Sequence, residues 1–148
     1  MRKSPNLIRD DSGASIIEMG LAAPLLATFL LGMVDLGGAY SAKLQVEQAA
    51  QRTIEMVQRN GFANGQQATL KAEAEAAAGT GSTATVDAWL ECNGVRQSNI
   101  TDTCTTPPVS RHVSVSITKP YTPYMKIRWG GNSNGTYTIH GKAGIRIQ

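Results

Sequence analysis

The apolar positions of this chain fall into three regimes. From Ala14 to Val34, 21 residues in all, they are nearly continuous and interrupted by one charge, Glu18. A span of about 20 apolar residues matches the roughly 30 Å hydrocarbon thickness of a bilayer at 1.5 Å rise per residue. The core from Ile16 to Val34 meets this, and a helix crossing a membrane is expected over residues 14–37. The second regime begins at Val46. Val46, Ala49, Ala50, Thr53, Ile54 and Val57 follow the spacing of one helix face, with Gln45, Gln48, Gln51, Arg52, Glu55 and Arg59 opposite. The same helix is therefore expected to continue to about residue 60, where Asn60-Gly61 is a stop signal. Its stripe is expected to pack on a core rather than to bind a partner.

Gln66 to Ala78 is rich in Ala and Glu, holds one large apolar residue, Leu70, and ends at Gly79. It predicts a short second helix over 66–78. Thr80 to Thr83 is a Gly/Ser/Thr linker. The third regime has period two. Val86, Ala88, Leu90 and Cys92 alternate with Asp87, Trp89 and Glu91. Val113, Val115 and Ile117 alternate with Ser114 and Ser116. Tyr137, Ile139, Gly141, Ala143, Ile145 and Ile147 alternate with His140, Lys142 and Arg146. Such alternation predicts strands with one buried face, at about 83–92, 111–119 and 136–147. Loops are expected from Cys92 to Cys104 and at Gly130 to Gly135, and Pro120 and Pro123 are expected to end the second strand. The predicted fold is α+β: a long N-terminal helix packed on a small antiparallel sheet, which needs such a cover to be stable.

Composition sharpens the first regime. Hydrophobic residues make up 41% of the 148, an ordinary share. It conceals their concentration in one segment. Arg2, Lys3 and Arg9 precede that segment, and only Lys43 is basic in the 15 residues after it. By the positive-inside rule the N-terminus is expected in the cytoplasm and everything after Gly37 outside. The net charge of +3 is spread rather than clustered, which argues against a nucleic-acid partner.

Two residues inside the span demand explanation. Pro24 removes one backbone donor and crowds the carbonyl of Gly20, which membrane helices tolerate better than soluble ones. Glu18 would cost about 3 kcal/mol at mid-bilayer, less near the cytoplasmic end. Counting offers a compensation. A cut after Gly13 would create a new N-terminus at Ala14, one helical turn before Glu18 and on the same face. Its ammonium could pair with its own Glu18 or with that of a neighbouring subunit.

This arrangement, Gly-x-x-x-x-Glu behind a short basic leader, resembles the type IV prepilin processing site. The wider segment, DDSGASIIEMGLAAPLLATFLLGMVDLGG, resembles the TadE-like family of pseudopilins from tight-adherence (Flp) pilus assembly systems. The features carrying the resemblance are Gly13, Glu18, Pro24, Leu25-Leu26 and Gly32-Met33-Val34-Asp35; Met19 stands where the family often has an aromatic. KPYTPYMK, after the second strand, is loosely similar to a Pro-aromatic stretch of TadE-like periplasmic regions. The resemblance implies a pilin-like fold, a processing site at Gly13 and Ala14, and an assembly or register role for Glu18 and Pro24. It implies an inner-membrane location with a periplasmic domain over 38–148 and a cytoplasmic leader over 1–13. The implied partners are a prepilin-type peptidase, other pilins or pseudopilins, inner-membrane pilus assembly proteins and membrane lipid.

Other readings of the same residues are an unprocessed anchor whose Glu18 reaches the headgroups, carrying a periplasmic binding domain, and a cleaved signal peptide with a site at Ala39-Tyr40-Ser41. The remaining candidate chemistry is sparse. In an oxidising compartment Cys92 and Cys104 are expected to form a disulfide; two free buried thiols are the alternative. His112 and His140 stand alone, at the surface or an edge, away from ligand-spaced partners. No nucleophile motif, phosphate loop or acid pair is visible, so no enzymatic activity, cofactor or metal is expected.

Overall fold

The computed structural model describes residues 12–125 and 134–147. The expected leader, as far as residue 11, and most of the glycine-rich turn at 130–135 lie outside the described residues. The first element, α1 (Ser12–Asn60), is a single α-helix of 49 residues with Pro24 inside it. At 1.5 Å per residue it is about 70 Å long. It ends at Asn60, and Gly61 takes the left-handed conformation that releases the chain (φ 74°). The second helix, α2 (Gln67–Ala78), ends at Gly79, whose N–H donates to the carbonyl of Glu75. The ammonium of Lys119 caps the same end through the carbonyl of Ala78 at 2.7 Å.

Four strands follow: β1 (Thr83–Cys92), β2 (Val95–Arg96), β3 (Val109–Tyr121) and β4 (Tyr137–Arg146). They form one antiparallel sheet in the order β2-β1-β3-β4. The fold is α+β, with α1 and α2 covering one face of the sheet. Its core is the predicted stripe meeting the predicted parities. Val46, Ala49, Ala50, Thr53, Ile54 and Val57 are all buried and lie against Val113, Val115 and Ile117. Thr53 is tolerated there because its hydroxyl donates to the carbonyl of Ala49 at 2.9 Å. Leu70, Ala74 and Ala78 supply the buried side of α2. Their i, i+4, i+8 spacing and small size let that helix lie close.

The structure corrects two details. Pro120 does not end the second strand: it pairs with Thr138, and β3 runs to Tyr121. β1 stops pairing with β3 at Thr83↔Thr118. Beyond that point β3 has a free side, where a residue without an N–H is tolerated. The stretch from Cys92 to Cys104 is not all loop. Asn93 (φ 50°) and Gly94 (φ 78°) make a tight two-residue turn that starts β2.

Candidate functional site

The two halves of α1 have different surroundings. From Ser15 to Leu31 the side chains are exposed on every side: Ile16 74%, Leu21 74%, Leu25 70% and Phe29 61%. An 18-residue window there has mean hydropathy 1.9, and none of it is buried. One helix in the described residues is therefore long and apolar enough to cross a membrane. Gly13 and Ala14 fall in its first turn. Glu18 is exposed and meets no partner among the described residues. Pro24 is exposed too, about 1.7 turns further along. Glu18 and Pro24 thus share one bare stretch of helix, apart from the sheet.

Protein cover begins at Gly32. Gly32, Asp35, Ala39, Ala42 and Val46 are half-buried or buried in turn, a three-and-four spacing that extends the Val46–Val57 stripe backwards by four turns. What covers its upper end is the segment after β3. The carboxylate of Asp35 accepts the backbone N–H of Tyr124 at 2.7 Å and that of Met125 at 2.8 Å. The hydroxyl of Tyr121 donates to the main-chain carbonyl of Asp35 at 3.0 Å. Gly38 makes room for that phenol: a Cβ there would lie 2.5 Å from its oxygen. Two charge-assisted bonds to one carboxylate make this a strong junction. It ties residues 121–125 to the helix where the bare section ends.

Burial raises the pKa of Tyr121 above its usual value of about 10, and the neighbouring Asp35 carboxylate and Tyr124 add to the rise. With the folded value raised, the stabilisation carried by the neutral phenol is fully present below about pH 10 and is lost as pH rises through the folded value. Tyrosinate absorbance during alkaline titration is therefore expected to show one late-ionising tyrosine, and a Tyr121→Phe variant should lack it. A titration identical in both proteins would contradict this junction.

On the opposite face of the sheet the side chains are polar and paired. The Trp89 and His112 rings stack with centroids 5.3 Å apart. The Arg96 guanidinium sits 4.5 Å over the Trp89 ring and forks onto Asp87 with two bonds of 2.8 Å. The indole N–H of Trp89 donates to Glu91 at 2.8 Å. His112 thus occupies the outer face of an interior strand rather than an edge. His140, on β4, is exposed. Among the described residues no three His, Cys, Asp or Glu side chains are grouped so as to hold a metal ion. Cys92 and Cys104 form a disulfide, with Cα atoms 5.4 Å apart. It ties the end of β1 to the segment that leads into β3.

The C-terminal end of α1, its buried stripe and the disulfide are as the sequence predicts, while α1 starts at Ser12, ahead of the expected 14. The Asp35 junction and the Trp89 array lie beyond those expectations. Asp35 belongs to the Gly32-Met33-Val34-Asp35 motif, and the backward extension of the stripe through Ala42, Ala39 and Asp35 is the signal that protein covers it.

No curated protein and no solved structure matches the chain. A family model described as TadE-like protein matches residues 13–54. That segment starts at Gly13, contains the whole bare section and the Asp35 junction, and ends within the buried stripe at Ile54. Over residues 13–54 the chain is thus similar to TadE-like proteins, and this fits a membrane-anchored, pilus-associated protein.

Proposed function

We propose that this chain is a TadE-like minor pseudopilin, a structural component in assembly of a tight-adherence (Flp/type IVb) pilus. The observation that carries the reading is the course of α1. The TadE-like match covers a helix that is apolar and uncovered for its first half and then becomes the spine of a small domain. A single element of this kind can hold a folded domain at a membrane and offer its bare half to neighbouring helices.

In this reading residues 1–13 are a cytoplasmic leader and residues 14–37 cross the inner membrane. Residues 38–148 form the periplasmic domain. A prepilin-type peptidase cuts between Gly13 and Ala14. The freed Ala14 ammonium then pairs with Glu18, in its own helix or in a neighbour's, which offsets the cost of placing both charges in lipid. Pro24 frees one backbone carbonyl in the same region and contributes to subunit register. The partners are other pilins or pseudopilins, inner-membrane assembly proteins, the peptidase and membrane lipid. The protein has no catalytic role, and its action is through contact.

The test is genetic and structural together. Deleting the chain in its host is expected to abolish or sharply reduce piliation, and the wild-type chain should restore it. A Glu18→Ala chain should reach the membrane in normal amount and fail to restore it. Normal piliation without the chain would contradict the assembly role. Full restoration by Glu18→Ala would contradict the register role of Glu18.

A further inference from the structure

We infer that the Pro123–Met125 tip is a membrane foot: it enters the headgroup–acyl boundary of the outer leaflet of the membrane that α1 crosses, and Asp35 holds it there. The inference rests on the anchoring role of α1 and adds where the sheet domain touches lipid.

Depth along the helix gives the first argument. Ile16 to Val34 is 19 residues, about 28 Å of helix, close to the roughly 30 Å of a hydrocarbon core. Asp35 therefore falls at the boundary where that core ends. Its carboxylate holds the backbone N–H groups of Tyr124 and Met125. Those two residues are thereby held at the depth of Asp35. Met125 reaches further in: its terminal methyl carbon lies 3.7 Å from where a Gly32 Cβ would stand, almost one turn inside Asp35.

The chemistry of the tip fits that depth. Tyr124 is 82% exposed, and Leu36, one position past Asp35, is 73% exposed. A groove of about 430 Å³ lies between helix and tip, lined mainly by Gly32, Leu36, Ala39, Pro123, Met125 and Tyr137. A large exposed apolar and aromatic surface is costly in water. In the interfacial layer tyrosine is favoured, with its ring in the apolar zone and its hydroxyl in the wet one. Tyr40, 66% exposed, adds a second tyrosine just over one turn further out. The Asp35 carboxylate explains how a bare turn of backbone can sit so near lipid. It satisfies two N–H groups that would otherwise be stranded at low polarity.

A foot of this kind fixes the tilt of the sheet domain on its anchor. A helix alone leaves the domain free to swing; a second contact beside the helix exit stops it.

The test uses the full chain in vesicles of phosphatidylethanolamine and phosphatidylglycerol, at low protein density. Cys92 and Cys104 are bonded to each other, so an introduced cysteine is the one reactive thiol for a spin label. Labels at Leu25→Cys, Tyr124→Cys and Val95→Cys report the span, the foot and the far hairpin. Relaxation by oxygen, which concentrates in lipid, is compared with relaxation by a water-soluble nickel chelate. The expected oxygen-to-nickel ratio is highest at position 25, lowest at 95, and severalfold above the hairpin value at 124. Adding Asp35→Ala should bring the value at 124 down towards that at 95.

A lipid-like value at 25 with a water-like value at 124 would overturn the foot and leave the anchor standing. A water-like value at 25 would overturn the anchor and the foot with it. A label at 124 shielded from both reagents would mean a protein neighbour occupies the site, and would also overturn the proposal. An unchanged value at 124 in the Asp35→Ala chain would overturn the holding role of Asp35.

Discussion

Gly141→Ala is expected to destabilise the sheet domain more than any other single-methyl addition to it. Gly141 is buried on the inward face of β4, directly beneath α1. A Cβ there would stand 2.6 Å from both the carbonyl carbon and the carbonyl oxygen of Val46, and 2.9 Å from the nitrogen of Glu47. All three are backbone atoms of a helix, so no rotamer change can relieve the contact. The helix must lift from the strand just where Val46, Ala49 and Ala50 are packed. Overpacking of cores costs about 1–3 kcal/mol, and a clash against backbone belongs at the upper end. For a domain of this size each kcal/mol lowers Tm by roughly 4–8 °C. Thermal unfolding of the detergent-solubilised full chain, followed by circular dichroism, would measure it. Gly144→Ala is the control. Gly144 faces outward on the same strand, and its added Cβ would approach nothing closer than 3.3 Å. Equal melting of the two variants would mean that α1 does not sit on β4 as described.

The second large effect is expected from the disulfide. Replacing Cys92 and Cys104 together by serine should cost about 3 kcal/mol in the chain-entropy account of a loop this short. Much of the domain is small: its largest fully buried side chains are only Leu, Ile, Val and Thr. A cross-link therefore carries a sizeable share of a total stability that is typically only about 5–15 kcal/mol. The bond joins the end of β1 to the irregular segment before β3. Reduction should lower the urea midpoint and open residues 97–108 to protease before the helices. An unchanged midpoint under reducing conditions would contradict this. Retention of the sheet with slower protease attack would contradict it as well.

Periodicity made the scaffold legible. Val46 to Val57 and the parities of the three long strands encode which side each residue buries, and packing placed them so. The two helix stops were legible because Gly61 and Gly79 both sit at positive φ, where glycine is favoured. Other features depend on contacts that no local pattern announces. Asp35 meets partners 89 and 90 positions away, so its role is set by where β3 ends. The parity of β4 placed Gly141 inward among larger residues, yet the need for glycine arises only when the axis of α1 comes close. The short β2 has a local signal in Asn93-Gly94, but its two residues are too few to show an alternating pattern. His112 stands alone along the chain, and only the strand order brings Trp89 and Arg96 beside it.

The N-terminal candidates differ in kind, since the cut they imply leaves no trace in an uncut chain. The proposed cut would make Ala14 the first residue of the working chain. The most direct measurement is N-terminal sequencing and intact mass of the chain recovered from the membrane fraction of its host. The expected result is a sequence starting at Ala14 and a mass lower by that of residues 1–13. Retention of Met1 or Arg2 would contradict processing, and a start near Ala42 would contradict the anchored helix altogether.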